Sequence, residues 1–155
     1  MRLNKKLVLI FIILILSSCT DKNEDLPVDF TLVVENRSDS TLTMSLFYNN
    51  LGTREFFQEV RLEASESYRC KYKQEVFTGL HGCLDSNTRG IDSVSLVFSD
   101  NKGYICVDKL LSDQELCFKD KYLFGGPDSF ESLGDNTFRV SITQEDFENA
   151  LELPE

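Results

Sequence analysis

The chain has 155 residues, 41% of them apolar and 27% charged, with sixteen Lys and Arg against twenty-six Asp and Glu. This length fits one domain with enough residues to bury a real core. The acidic balance excludes nucleic acid as a partner, because a phosphate backbone needs a cationic face, and it argues against an electrostatic grip on anionic lipid.

The chain opens on a basic segment, Met1 to Lys6, followed by Leu7 to Leu16 without one polar side chain and then by Ser17-Ser18-Cys19. Basic, apolar and small-residue stretches in that order form a secretory signal. The apolar run is too short for a membrane-spanning helix, which needs about 20 residues. Leu16-Ser17-Ser18-Cys19 resembles the lipobox of bacterial lipoproteins. The resemblance implies cleavage before Cys19 and acylation of its sulfur and new amine, with several chains to hold the product at a membrane. Loss of residues 1–18 removes Arg2, Lys5 and Lys6 and no acid, so thirteen cations then face twenty-six acids. Residues 19–28 read as the lipidated cysteine and a flexible tether, since Thr20 to Asp25 is polar and without apolar period. Lys22 followed by Glu24-Asp25 loosely resembles the export signal of surface lipoproteins of Bacteroidetes.

From Asp29 the period changes to two, and residues 29–155 read as a single β domain. Phe30, Leu32 and Val34 alternate with Thr31, Val33 and Glu35. After the turn cluster Asn36 to Ser40, Leu42, Met44, Leu46 and Tyr48 alternate with Thr41, Thr43, Ser45 and Phe47. The two runs predict a half-buried hairpin. A third run, Arg54 to Leu62, carries Phe56, Val60 and Leu62 on one parity, with Gln58 breaking the pattern. A fourth places Tyr68, Cys70 and Tyr72 on one side and Arg69, Lys71 and Lys73 on the other. Those three cations read either as a patch for an acidic partner or as an edge strand blunted against unwanted pairing.

Thr78 to Gly90 is loop-like. Its Asp85-x-Asn87-x-x-Gly90 is similar to the start of a calcium loop, but Arg89 and Leu96 stand where oxygen ligands belong, so no metal is expected. Ile91 to Val107 predicts a hairpin, with Val94, Leu96 and Phe98 on one face and Gly103 free to take positive φ in the turn. Asp108 to Asn136 is irregular. Ser112-x-x-Glu115 offers a helix cap there, and Gly125-Gly126-Pro127-Asp128 is a turn flanked by Tyr122, Phe124 and Phe130. The three rings read as a contact for a sugar or protein, or as core under a long loop. Phe138, Val140 and Ile142 form a last strand. Thr143 as N-cap, Asp146 at N3 and an Ile142–Phe147 staple predict a short helix over Gln144 to Leu151.

Of five cysteines, Cys19 belongs to the anchor. Cys70, Cys83, Cys106 and Cys117 suggest two disulfides in an exported domain. Three pairings are possible, and the short loops make Cys70 with Cys83 and Cys106 with Cys117 the simplest. Zinc lacks a Cys-x-x-Cys motif and a second histidine.

Six or seven amphipathic strands predict an all-β antiparallel β-sandwich, immunoglobulin-like or transthyretin-like, with a lipocalin-like β-barrel as the alternative. The lipobox, the strand Asp92-Ser93-Val94-x-Leu96-x-Phe98 and the ending Phe138-x-Val140-x-Ile142-Thr143-x-Glu145-Asp146-Phe147-x-x-Ala150 together resemble small lipoproteins of Bacteroidetes that lack an assigned function. The resemblance implies an outer membrane lipoprotein, on its periplasmic or cell-surface face, and carries over no catalytic residue. The expected role is a non-enzymatic module, without cofactor, that binds a protein or glycan partner. A subunit of a pilus or envelope assembly is the alternative. Less favoured is an enzyme acting on glycans through two carboxylates. His81, the one histidine, has no partner by motif.

Overall fold

The computed structural model describes residues 26–84, 90–108 and 116–154. Cys19 with its signal, the tether as far as Asp25, the calcium-like stretch at 85–89 and the capping signal at 112–115 lie outside the described residues, and the last tether residue, Val28, already belongs to the first strand.

Among the described residues nine strands form two sheets. They are β1 (Val28–Arg37), β2 (Leu42–Asn50), β3 (Thr53–Leu62), β4 (Ser67–Gln74), β5 (Ser93–Phe98), β6 (Lys102–Val107), β7 (Glu131–Gly134), β8 (Thr137–Thr143) and β9 (Leu151–Glu152). The first sheet runs β4-β1-β8-β7 and the second β3-β2-β5-β6-β9, both open rather than closed into a barrel. The chain is therefore the all-β sandwich its alternation predicts. One pair, β1 with β8, is parallel, and the rest are antiparallel.

The alternation places Phe30, Leu32, Val34, Cys70, Tyr72, Val140 and Ile142 of one sheet against Leu42, Met44, Leu46, Val94, Leu96, Phe98 and Tyr104 of the other. Leu32, Leu42, Met44 and Leu46 are wholly inaccessible, and burying each such side chain contributes about 1.5–3 kcal/mol.

Three expectations are corrected. First, β1 and β2 are not a hairpin but belong to different sheets. The connection between them is closed by Asn36, which is fully buried. Its Nδ2 donates to the carbonyls of Ser40, Leu62 and Glu63 at 2.8, 3.1 and 3.2 Å, and its Oδ1 accepts from the Ser38 amide and hydroxyl. One amide thus ties the β1–β2 corner to the β3–β4 corner. Second, the break at Gln58 is a β-bulge. Leu46 pairs with Gln58 but Phe47 with Phe56, so Phe57 is the extra residue and Phe56 turns outward, 58% exposed. Bulges switch parity in this way. Third, the helix α1 spans only Gln144–Glu148. The chain leaves it to pair Leu151 and Glu152 with Gly103 and Lys102.

The predicted capping box is present, with Thr143 Oγ1 accepting from the Asp146 amide and the Asp146 carboxylate accepting from the Thr143 amide. Phe147 packs edge-on against Phe98, ring centres 5.1 Å apart. In the β5–β6 hairpin the positive φ falls on Asn101, not Gly103. Glycine is required at 103 for a different reason: a Cβ there would lie 1.9 Å from the Leu96 carbonyl oxygen. The disulfides are Cys70–Cys83 and Cys106–Cys117.

Candidate ligand cleft

The stretch Phe118-Lys119-Asp120-Lys121 follows Cys117 and carries no period of two. The disulfide to Cys106 fixes it beside β6, and the Ile105 amide donates to the Leu116 carbonyl at 2.8 Å. Phe118 stacks on Tyr104 of β6, ring centres 3.9 Å apart. A cleft of about 440 Å3 opens between this stretch and the α1–β9 corner, where Glu145, Asp146, Asn149 and Leu151 complete its walls. A second hollow of about 490 Å3 adjoins it across Lys121 and is bounded by Tyr122, Asp128 and Ser129.

Lys121 stands between the two hollows. Its Nζ donates to Asp146 Oδ1 at 2.5 Å and to Asp120 Oδ2 at 3.2 Å, and lies 5.2 Å from the centre of the Phe118 ring. Burial alone would lower its pKa, but the hydrogen bond and charge of Asp146, then those of Asp120, more than offset this, and the ammonium titrates above the usual lysine range. At neutral pH it is a fixed cation and not a nucleophile. The other oxygen of Asp146 accepts from the amide and hydroxyl of Thr143 at 2.6 and 2.9 Å.

The hydroxyl of Tyr104 donates to the Asp146 carbonyl at 2.7 Å. Desolvation, with the charges of Asp146 and Asp120, pushes its pKa up to about 12. It therefore remains a neutral donor. Lys119, Glu145 and Asn149 are exposed at the mouth, and among the described residues their side chains are free of ion pairs.

Of the rings singled out in the sequence, Phe124 is buried and Phe130 packs edge-on against Phe77 at 5.1 Å, so both serve the core. Tyr122 is half-buried; it faces the second hollow and donates to Asp108 Oδ1 at 2.8 Å. Arg69, Lys71 and Lys73 do lie together, on the outer face of the edge strand β4, away from the cleft. His81 sits on a 3-10 turn, Gly79–Cys83, with Nδ1 3.2 Å from the Ile91 carbonyl and its ring against Gly90. Among the described residues no group of His, Cys, Asp and Glu is arranged to hold a metal.

Sequence reading missed Tyr104, Lys119, Asp120, Lys121, Glu145 and Asn149 as neighbours. The one available signal was Lys-Asp-Lys enclosed by Phe118 and Tyr122, an unusual placement for three charges in a stretch without period. No family model, curated protein or solved structure matches the chain.

Proposed function

We propose that this chain is a lipid-anchored, non-enzymatic binding module of the outer membrane, akin to small lipoproteins of Bacteroidetes, and that it takes a glycan in the cleft at Lys119–Lys121. The anchor reading is supported by Leu16-Ser17-Ser18-Cys19 behind an apolar run of signal length. The binding reading is carried by the groups left free at the cleft mouth. Lys119 donates, Glu145 accepts and Asn149 does both. Such mixed valence suits a ligand rich in hydroxyls better than one of a single charge. Leu151, with Phe118 lining the cleft beside it, gives an apolar surface for the C–H face of a ring. The groups with the strongest chemistry, Lys121, Asp146 and Tyr104, are already held in internal contacts.

The test has two arms. Labelled palmitate fed to expressing cells enters the wild-type chain and not Cys19→Ala. The purified chain is titrated calorimetrically against a panel of envelope and dietary polysaccharides. Asn149→Ala and Lys119→Ala then each weaken the best ligand about tenfold, the loss of one or two good hydrogen bonds. A panel without a binder, or affinities untouched by both changes, defeats the glycan reading.

A further inference from the structure

The two ends of the sandwich differ in character. At one end lie the corners tied by Asn36, together with α1 and the cleft. At the other end β1 begins at Val28, in register with Gln74 at the end of β4. There also β2 and β3 reverse at Leu51-Gly52, and the Asn136 carbonyl of the β7–β8 turn accepts from the Thr31 amide. The most exposed of the large apolar side chains lie at this second end, whereas Leu151 is at the cleft end and Leu133 on β7. Leu26, Leu51 and Val76 are 79%, 98% and 64% exposed, and Val28 is beside them. Phe56 and Phe57 continue the surface down the edge strand β3. Leu51 takes φ of 53°, a conformation for which Asn or Gly would be the easier choice. A fully exposed leucine there has no folding rationale.

The same end is where the preceding 25 residues join the domain. Six residues lie between Cys19 and Leu26, seven steps along the chain with a reach of about 24 Å at full stretch. A tether of this reach keeps the entry end within about 24 Å of the surface that would hold the lipid. Lys71 and Lys73 lie on the neighbouring strand β4 and are matched by Asp29, opposite Lys73 in register, and by exposed Glu75, so the charges of this flank balance where those of the whole chain are acidic. We propose that the entry end is a lipid-contacting surface. Leu26, Leu51 and Val76 dip into the headgroup boundary, β4 places its lysines at the headgroup level, and the cleft is directed away from the membrane. This inference rests on the lipoprotein reading above, and it adds an orientation that anchoring alone does not impose.

The chain has no tryptophan, so one introduced indole reports its own surroundings. Acylated full-length product carrying Val76→Trp, Leu51→Trp or Asp39→Trp is reconstituted into vesicles of phosphatidylcholine, plain or brominated on the acyl chains. Asp39 is exposed at the opposite end. The inference expects blue-shifted emission and about twofold quenching by brominated lipid at positions 51 and 76, and neither at 39. Flotation with the vesicles and equal quenching at all three positions, or none at any, overturns the orientation and leaves the anchor standing. A chain that fails to float overturns both. All three positions lie on the surface, and the urea transition of each variant verifies that it is folded.

Discussion

Around the cleft, Asp146 is the residue on which the most separate contacts converge. It is 6% exposed, closes the capping box with Thr143, accepts from Lys121, and lends its carbonyl to Tyr104. Its replacement by Ala removes a cap and leaves Lys121, whose side chain is 19% exposed, without its closer carboxylate. The expected cost is about 2–3 kcal/mol in urea unfolding, with Asp146→Asn between Ala and wild type because it keeps the shape and one acceptor. Tyr104 and Lys121 also give the site a defined pH response. Both are shifted upward in the folded chain, so the native state holds their protons more tightly than the unfolded one. Their contribution is complete below about pH 10, the ordinary tyrosine value, and is lost as pH rises through the folded values, up to about 12 for Tyr104. An absorbance titration at alkaline pH should show a late tyrosine step that Tyr104→Phe removes. Stability should fall across the same interval, with a shallower slope in that variant.

Among the elements, the β5–β6 hairpin has the least tolerance. A Cβ at Gly103 meets the Leu96 carbonyl at 1.9 Å, in the strand that β6 pairs with, and β9 is docked on the same residue. Gly103→Ala should therefore cost about 3 kcal/mol or more, read as a lower urea midpoint. It should also free the β9 segment to exchange its amide hydrogens faster. Period-two alternation made most strands legible, because which face is buried is a local property of β5, β8 and the first residues of β1. Partner choice is not local. Nothing in Phe30–Val34 and Leu42–Leu46 says that the connection between them crosses from sheet to sheet, since that depends on a buried Asn36 finding carbonyls 26 and 27 residues away. The bulge at Phe57 was visible only as a fault at Gln58. The cap of α1 was legible because Thr143 and Asp146 satisfy each other within one turn, whereas its early end depends on β9 reaching β6. The cleft was nearly silent in the sequence. Its walls come from β6, the 117–121 stretch and α1, and only the fold makes them neighbours.

For the molecule as a whole, the two disulfides close loops of similar length but hold different things. Cys70–Cys83 spans 13 residues and pins the 3-10 turn carrying His81 to β4. Cys106–Cys117 spans 11 residues and holds the 117–121 stretch, with Phe118 and Lys121, against β6. Loops of this size restrict the unfolded chain by about 3 kcal/mol each, so replacing either pair by alanines should lower global stability by a comparable amount. The consequences for binding should differ. With Cys106 and Cys117 replaced, the cleft wall keeps the Ile105–Leu116 backbone hydrogen bond and the stacking and ion pairs of Phe118 and Lys121, without the covalent clamp, and more of its order must be gained when a ligand arrives. Affinity should then fall more than tenfold, with a larger unfavourable entropy in calorimetry. With Cys70 and Cys83 replaced, a chain still folded at the assay temperature should bind as wild type does, since that bridge lies toward the entry end. Equal losses of affinity in both variants would mean that the bridges act through overall stability alone, and that the cleft wall does not depend on its own clamp.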